Sequence, residues 1–106
     1  MAEVIQIVKE LKRKVSDKFG KAEVILFGSK IKASAKEESD IDVLVILNRN
    51  VDLKVKETIY DIAYELSLRY DEVLDVSVYS KEEWERYKAS LPFIINVEKE
   101  GTVIFF

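Results

Sequence analysis

Val4, Val8, Leu11 and Val15 recur at steps of four, three and four residues, the spacing that lines one face of an α-helix, and Gly20 follows where a C-terminal cap belongs. An amphipathic helix is therefore predicted over about residues 3–18. Residues 22–27 are short, apolar and partly β-branched and run into Gly28, so they read as a strand that hands the chain to a loop. The stretch from Ser29 to Ser39 is small and polar. Residues 41–47 are apolar at both alternating sets of positions, the pattern of a strand covered on both faces and hence central in its sheet. Val55, Ile59, Ile62 and Leu66 repeat the four-three-four spacing, which predicts a second helix over about 52–69 with Asn50 or Asp52 as its cap. Residues 73–79 alternate as a third strand, and Ser80-Lys81-Glu82-Glu83 has the layout of a capping box that starts a short helix through Tyr87. Ser90-Leu91-Pro92 predicts the opening of a last helix, with the proline in the first turn where a missing N–H is harmless. Gly101 closes that helix, and residues 102–106 read as an edge strand. Tyr60 and Tyr64 fall at the margin of the second helix's apolar stripe and are expected to pack.

Composition narrows this picture. A chain of 106 residues supports one domain, spanning 1–106, and its 48% apolar and 35% charged residues can fill a core beneath a densely charged surface. The net charge of -3 does not favour direct nucleic-acid binding, and the run Lys12-Arg13-Lys14 shares its helix with Glu10 and Asp17, as an ordinary solvated face does. With no cysteine and no histidine, thiol nucleophiles, histidine bases, disulfides and Cys or His metal sites are all excluded. Carboxylates remain as metal ligands, and oxygen-only ligation suits Mg2+ or Mn2+ rather than zinc. The first residues lack the layout of a signal peptide and no apolar run reaches spanning length, so no membrane association and a cytoplasmic location are expected.

Two acids stand out against the apolar runs. Asp40 and Asp42 enter the central strand, where a buried unpaired carboxylate costs several kcal/mol, a large part of a small domain's stability. Residues two apart on a strand share a face, so both would point the same way at the strand's start. Asp75, between Leu74 and Val76, is a third acid in an apolar alternation and joins them if its strand lies alongside. Carboxylates brought together repel strongly unless divalent cations sit between them. Gly28-Ser29 is the complementary element: glycine lets the backbone approach a phosphate and serine offers hydrogen-bond donors. Taken singly, each feature also has a plain structural role: a turn cap for Asp40, a lysine partner for Asp42, a strand end for Asp75, an ordinary turn for Gly28-Ser29.

Their order is what matters: a strand ending in Gly-Ser, a polar stretch, Ser-Asp-Ile-Asp opening a second strand, and an acid in a third. This combination resembles the nucleotidyltransferase superfamily typified by DNA polymerase beta, in its minimal nucleotidyltransferase (MNT) branch. The ending from Phe93 to Phe105 also looks like that family's closing helix, glycine and strand. The resemblance implies an α+β nucleotidyltransferase fold, a small mixed β-sheet packed against helices. It implies that Gly28 and Ser29 bind the triphosphate of ATP or another NTP, with Lys30, Lys32 and Ser39 as further nucleotide contacts. It makes Asp40, Asp42 and Asp75 the catalytic acids that hold two Mg2+ ions, or Mn2+, with Asp75 nearest the acceptor and the candidate to take its proton. The acceptor it implies is a tyrosine of a HEPN-domain partner, the toxin to which this chain would be the antitoxin. The family often continues Gly-Ser with Arg-x-Arg-Gly, whereas Lys30-Ile31-Lys32-Ala33 keeps the positive charge and lacks the planar fork that grips phosphate bidentately. An antitoxin that masks its partner without catalysis, and transfer to a small molecule or RNA, stay open as alternatives, as does a homo-oligomer.

Overall fold

In the computed structural model, which describes residues 2–27, 40–90 and 103–106, the order of elements follows the predicted pattern. Helix α1 (Ala2–Phe19) buries Val4, Ile7, Val8, Leu11 and Val15, the stripe its spacing marks out. It stops at Gly20, whose φ of 83° is left-handed backbone that glycine adopts without a steric penalty. Strands β1 (Ala22–Phe27) and β2 (Ile41–Leu47) pair antiparallel. Helix α2 (Leu53–Tyr70) is capped by Asp52, whose Oδ1 accepts the Val55 N–H at 2.9 Å. Strand β3 (Leu74–Ser80) then lies parallel to β2, an arrangement that needs a crossover between the two strands, which α2 supplies. Helix α3 (Lys81–Tyr87) follows, and β4 (Val103–Phe105) pairs antiparallel with β1, giving among the described residues a mixed four-stranded sheet in the order β3-β2-β1-β4. β2 is internal and β4 lies at an edge, as their patterns predict. The helix expected from Ser90-Leu91-Pro92 to Gly101 lies, apart from Ser90, outside the described residues.

Alternation along the strands sorts the core into two layers. Val24, Leu26, Ile41, Val43, Val45 and Leu47 face α1 and α2 and join the main core. Ile25, Leu44 and Ile46 point to the other face, where Phe27, Tyr79 and Trp84 pack against them. β2 is thus apolar on both sides because both sides are covered. Tyr60 and Tyr64 depart from expectation: both are exposed, because the buried stripe of α2 runs through Val55, Ile59, Ile62, Ala63 and Leu66, and each tyrosine sits one position past it, turned about 100° away.

Polar contacts also tie the elements together. Glu10 on α1 accepts the Tyr70 hydroxyl and the Arg69 guanidinium of α2, each at 2.6 Å. The Tyr70 bond, aided by the charges of Arg69, Lys14 and Arg13, outweighs partial desolvation and holds the Glu10 carboxyl below the usual carboxylate range; the same bond raises the Tyr70 hydroxyl. A depressed acid stabilises the fold above its unfolded pKa and loses that contribution as pH falls through its folded pKa; a raised phenol contributes below its unfolded pKa and loses it as pH rises through its folded pKa. The stability difference between the wild-type chain and Tyr70→Phe is therefore expected to be flat between about pH 6 and 9 and to shrink below about pH 4 and above about pH 10, read from urea midpoints. A pH-independent difference would rule out this ionic account.

The predicted capping box is formed: the Ser80 hydroxyl accepts the Glu83 N–H at 3.0 Å, and Glu83 Oε1 accepts the Ser80 N–H at 3.1 Å, which also lowers the Glu83 pKa. Ser80→Ala should cost about 1 kcal/mol. Trp84, the single tryptophan, sits on α3 with its ring centroid 6.4 Å from that of Tyr79, so its fluorescence reports the loss.

Candidate active site

Strand geometry alone separates the residues at the start of β2. Ile41 and Val43 enter the core beneath α1 and α2, so Asp42 between them projects from the opposite face of the sheet. Ile41 N–H donates to Val73 C=O at 2.8 Å, which carries the parallel pairing to the mouth of both strands and sets Asp75 directly beside Asp42. On the other side the antiparallel register sets Phe27 beside Asp42. Phe27, Asp42 and Asp75 thus form a row across three strands, each about 4.8 Å from the next, on the face away from the long helices. Asp42 is half-buried and Asp75 exposed. Asp40 is exposed immediately before β2. Ser77 follows Asp75 on the same face and registers with Leu44.

The structure therefore brings Asp42 and Asp75 together, with Asp40 two residues from Asp42 along the chain. Among the described residues, no three ligand-type side chains are drawn close enough to form a finished metal cage. The donor set nevertheless suits a hard divalent cation. It is all carboxylate oxygen, and like charges at directly opposed positions of paired strands destabilise the sheet unless an opposite charge lies between them. Gly28, Ser29, Lys30, Lys32 and Ser39 lie outside the described residues; Phe27, which precedes Gly28, is the residue that registers with Asp42. Phe27 was not singled out by sequence reasoning, since its place in the row depends on register and on nothing local. Ser77 had a faint mark, a polar residue two positions after Asp75 in an alternating strand.

Comparison with known proteins supplies the family. Residues 8–104 match the family described as a nucleotidyltransferase domain. A relative from Methanocaldococcus jannaschii, named "Putative protein adenylyltransferase MJ0141", is 41% identical over 106 residues, covering 96% of this chain and 99% of its own. A second from the same organism, "Putative protein adenylyltransferase MJ0604", is 33% identical over 100 residues, covering 94% of this chain and 92% of its own. Among solved structures, a chain of the toxin-antitoxin MntA-HpeT, in a mutant with two aspartate-to-glutamate changes, superposes with a TM-score of 0.52 over 98% of this chain and 69% of that one. At 16% identity that likeness speaks for the fold alone. The expected α+β nucleotidyltransferase fold is the fold observed. Since the family match runs from within α1 into β4, through the strands that carry Asp42 and Asp75, the chain belongs to the nucleotidyltransferase domain family and is a nucleotidyltransferase.

Proposed function

We propose that this nucleotidyltransferase moves AMP from ATP onto a hydroxyl of a partner protein, a tyrosine of a HEPN-domain toxin, and so acts as its antitoxin in the cytoplasm. The observation that carries the reading is the placement of Asp42 beside Asp75 on the sheet face clear of α1 and α2. Two relatives aligned over nearly their whole length carry names of protein adenylyltransferases, and a chain with the same fold comes from a toxin-antitoxin pair, which supports the finer statement. Among the described residues no helix is long and apolar enough to cross a membrane.

Asp40, Asp42 and Asp75 are the residues that would hold two Mg2+ ions, Mn2+ serving as a substitute. Bound Mg2+ supplies neutralising charge at the triphosphate and lowers the pKa of the acceptor hydroxyl. The chain's own contribution is position and proton transfer. Asp42 and Asp75 stand on paired strands, so their separation is set by backbone hydrogen bonds rather than by a loop. Asp75 is exposed on β3, the end strand of the sheet among the described residues, where an incoming hydroxyl meets it first, and its carboxylate takes the proton as the hydroxyl oxygen bonds to the α-phosphorus. The bond from that phosphorus to the bridging oxygen breaks, and pyrophosphate leaves with the electron pair. With no histidine in the chain, a carboxylate is the available base. Gly28 and Ser29, with Lys30, Lys32 and Ser39, take the triphosphate side in this reading.

Incubating the chain with Mg2+, ATP labelled at the α-phosphate and a HEPN-domain protein from the same organism should label a tyrosine of that protein, while ATP labelled at the γ-phosphate should leave no label. Label on RNA or a small hydroxyl compound instead would replace the protein acceptor, and no transfer to any hydroxyl would defeat the reading.

A further inference from the structure

The same fold leaves a second surface that adjoins the site at Asp75. Between α2 and the outer edge of β3 runs an open groove of about 590 Å3, walled by Tyr60, Tyr64 and Leu68 and floored by Leu74 and Val76. Tyr64 is 65% exposed, Leu68 66% and Val73 58%, an apolar cluster of the kind that marks an interaction surface. The β3 edge beside it is equally open. β3 ends the sheet, and no strand among the described residues covers its outer side. Because the Val73 carbonyl accepts from β2, alternation turns the backbone groups of Leu74, Val76 and Val78 outward. The Leu74 N–H is taken by Ser67 Oγ at 3.3 Å; the outward groups of Val76 follow it.

Charge says what fits there. Asp71 lines the groove, Asp61 and Glu65 stand exposed beside its tyrosine wall on α2, and Asp75 reaches its margin from β3 with its side chain toward the other face of the sheet. Arg69, the cation of that part of the helix, is turned to Glu10. Two copies of this chain meeting here would set one acidic rim against another. A segment carrying lysine or arginine would be attracted. Asp75 also belongs to the row beside Asp42, so a chain added along the β3 edge runs with its backbone about one strand spacing, 4.8 Å, from the backbone of Asp75.

We infer that the groove between α2 and the β3 edge docks an extended segment of the acceptor protein, apolar toward Tyr64 and Leu68 and basic toward the rim, which adds to β3 as a strand and brings its hydroxyl to Asp75. The inference rests on the protein-acceptor reading and extends it by naming where the acceptor binds and what it must look like. Strand addition gives affinity through the backbone and leaves selectivity to the side chains that enter the groove.

The test uses the full isotope-labelled chain without nucleotide and two synthetic peptides, one alternating valine and lysine around a central tyrosine, the other with glutamate for every lysine. The lysine peptide should shift the amide resonances of Leu68, Val76 and Val78, and the glutamate peptide should bind at least about tenfold more weakly. Leu68→Lys, at an exposed helix position, should weaken the lysine peptide similarly with an unchanged spectrum elsewhere, and Tyr64→Lys should do the same. Equal binding of both peptides, shifts confined to another surface, no shift at about 1 mM peptide, or a dimer that Leu68→Lys disperses would each overturn the inference. Adding ATP and Mg2+ separates the two ideas. Docking of the lysine peptide with no transfer to the protein acceptor or to any other hydroxyl refutes transfer and keeps the groove; labelling of the protein acceptor by both the wild-type chain and Leu68→Lys at equal rates refutes the groove and keeps transfer.

Discussion

Asp42→Asn is expected to lower nucleotidyl transfer by about a thousandfold or more, equivalent to about 4 kcal/mol of transition-state stabilisation, without lowering the stability of the fold. The carboxylate stands in the middle of the row formed by Phe27, Asp42 and Asp75, and among the described residues no other acid registers with Asp75. Its loss removes half of the paired charge on which the site depends. Asparagine keeps the side chain's size and one oxygen acceptor while a like charge beside Asp75 is removed, so the urea midpoint should stay level within the equivalent of about 1 kcal/mol. This separation of activity from stability is what makes the variant informative, since a loss of activity caused by unfolding would drive both measurements down together. Transfer to the partner within a few-fold of wild type, in a folded Asp42→Asn chain, would remove Asp42 from the site.

The second large effect concerns stability. Leu44→Ala should cost about 2–5 kcal/mol, a substantial share of the roughly 5–15 kcal/mol by which a domain of this size is stable. Leu44 is fully buried, yet it points away from α1 and α2 and packs with Ile25, Ile46, Phe27, Tyr79 and Trp84 on the far side of the sheet. The cost measures how well that thinner layer closes over β2. Leu68→Ala is the control: the same truncation at an exposed position should stay within about 0.5 kcal/mol. Equal effects at the two positions would mean that the face bearing Asp42 is open along its whole length, and that Leu44 is not core. Thermal unfolding followed by Trp84 emission reads both variants.

Sequence periodicity located the scaffold closely. The stripes at Val4, Val8, Leu11 and Val15 and at Val55, Ile59, Ile62 and Leu66 correspond to α1 and α2, the apolar run after Asp40 is the internal strand, and the Ser80–Glu83 box opens α3 where its spacing places it. Of the two caps offered for α2, Asn50 and Asp52, the structure selects Asp52, the residue directly before the first helical turn. The tyrosines on α2 went the other way, because the margin of a helical stripe is a matter of one residue and the sequence carries no mark of how far the neighbouring strand reaches. The pairing of Glu10 with Tyr70 was likewise invisible, since its partners lie 60 residues apart and meet through the packing of α1 on α2.

What the sequence by itself determined is local: where helices and strands run, where they are capped, and that Asp42 and Asp75 stand as acids within apolar strands. Such features depend on the geometry of a single turn or pleat, which a few neighbouring residues dictate. Only the tertiary structure decided that β3 lies parallel to β2 with Asp75 beside Asp42, that both project from the face away from the long helices, and that among the described strands β3 ends the sheet beside an acidic groove. Register between distant strands is set by which faces the whole core buries, and a slip of one residue would have turned Asp75 inward beneath α2 instead of outward beside Asp42.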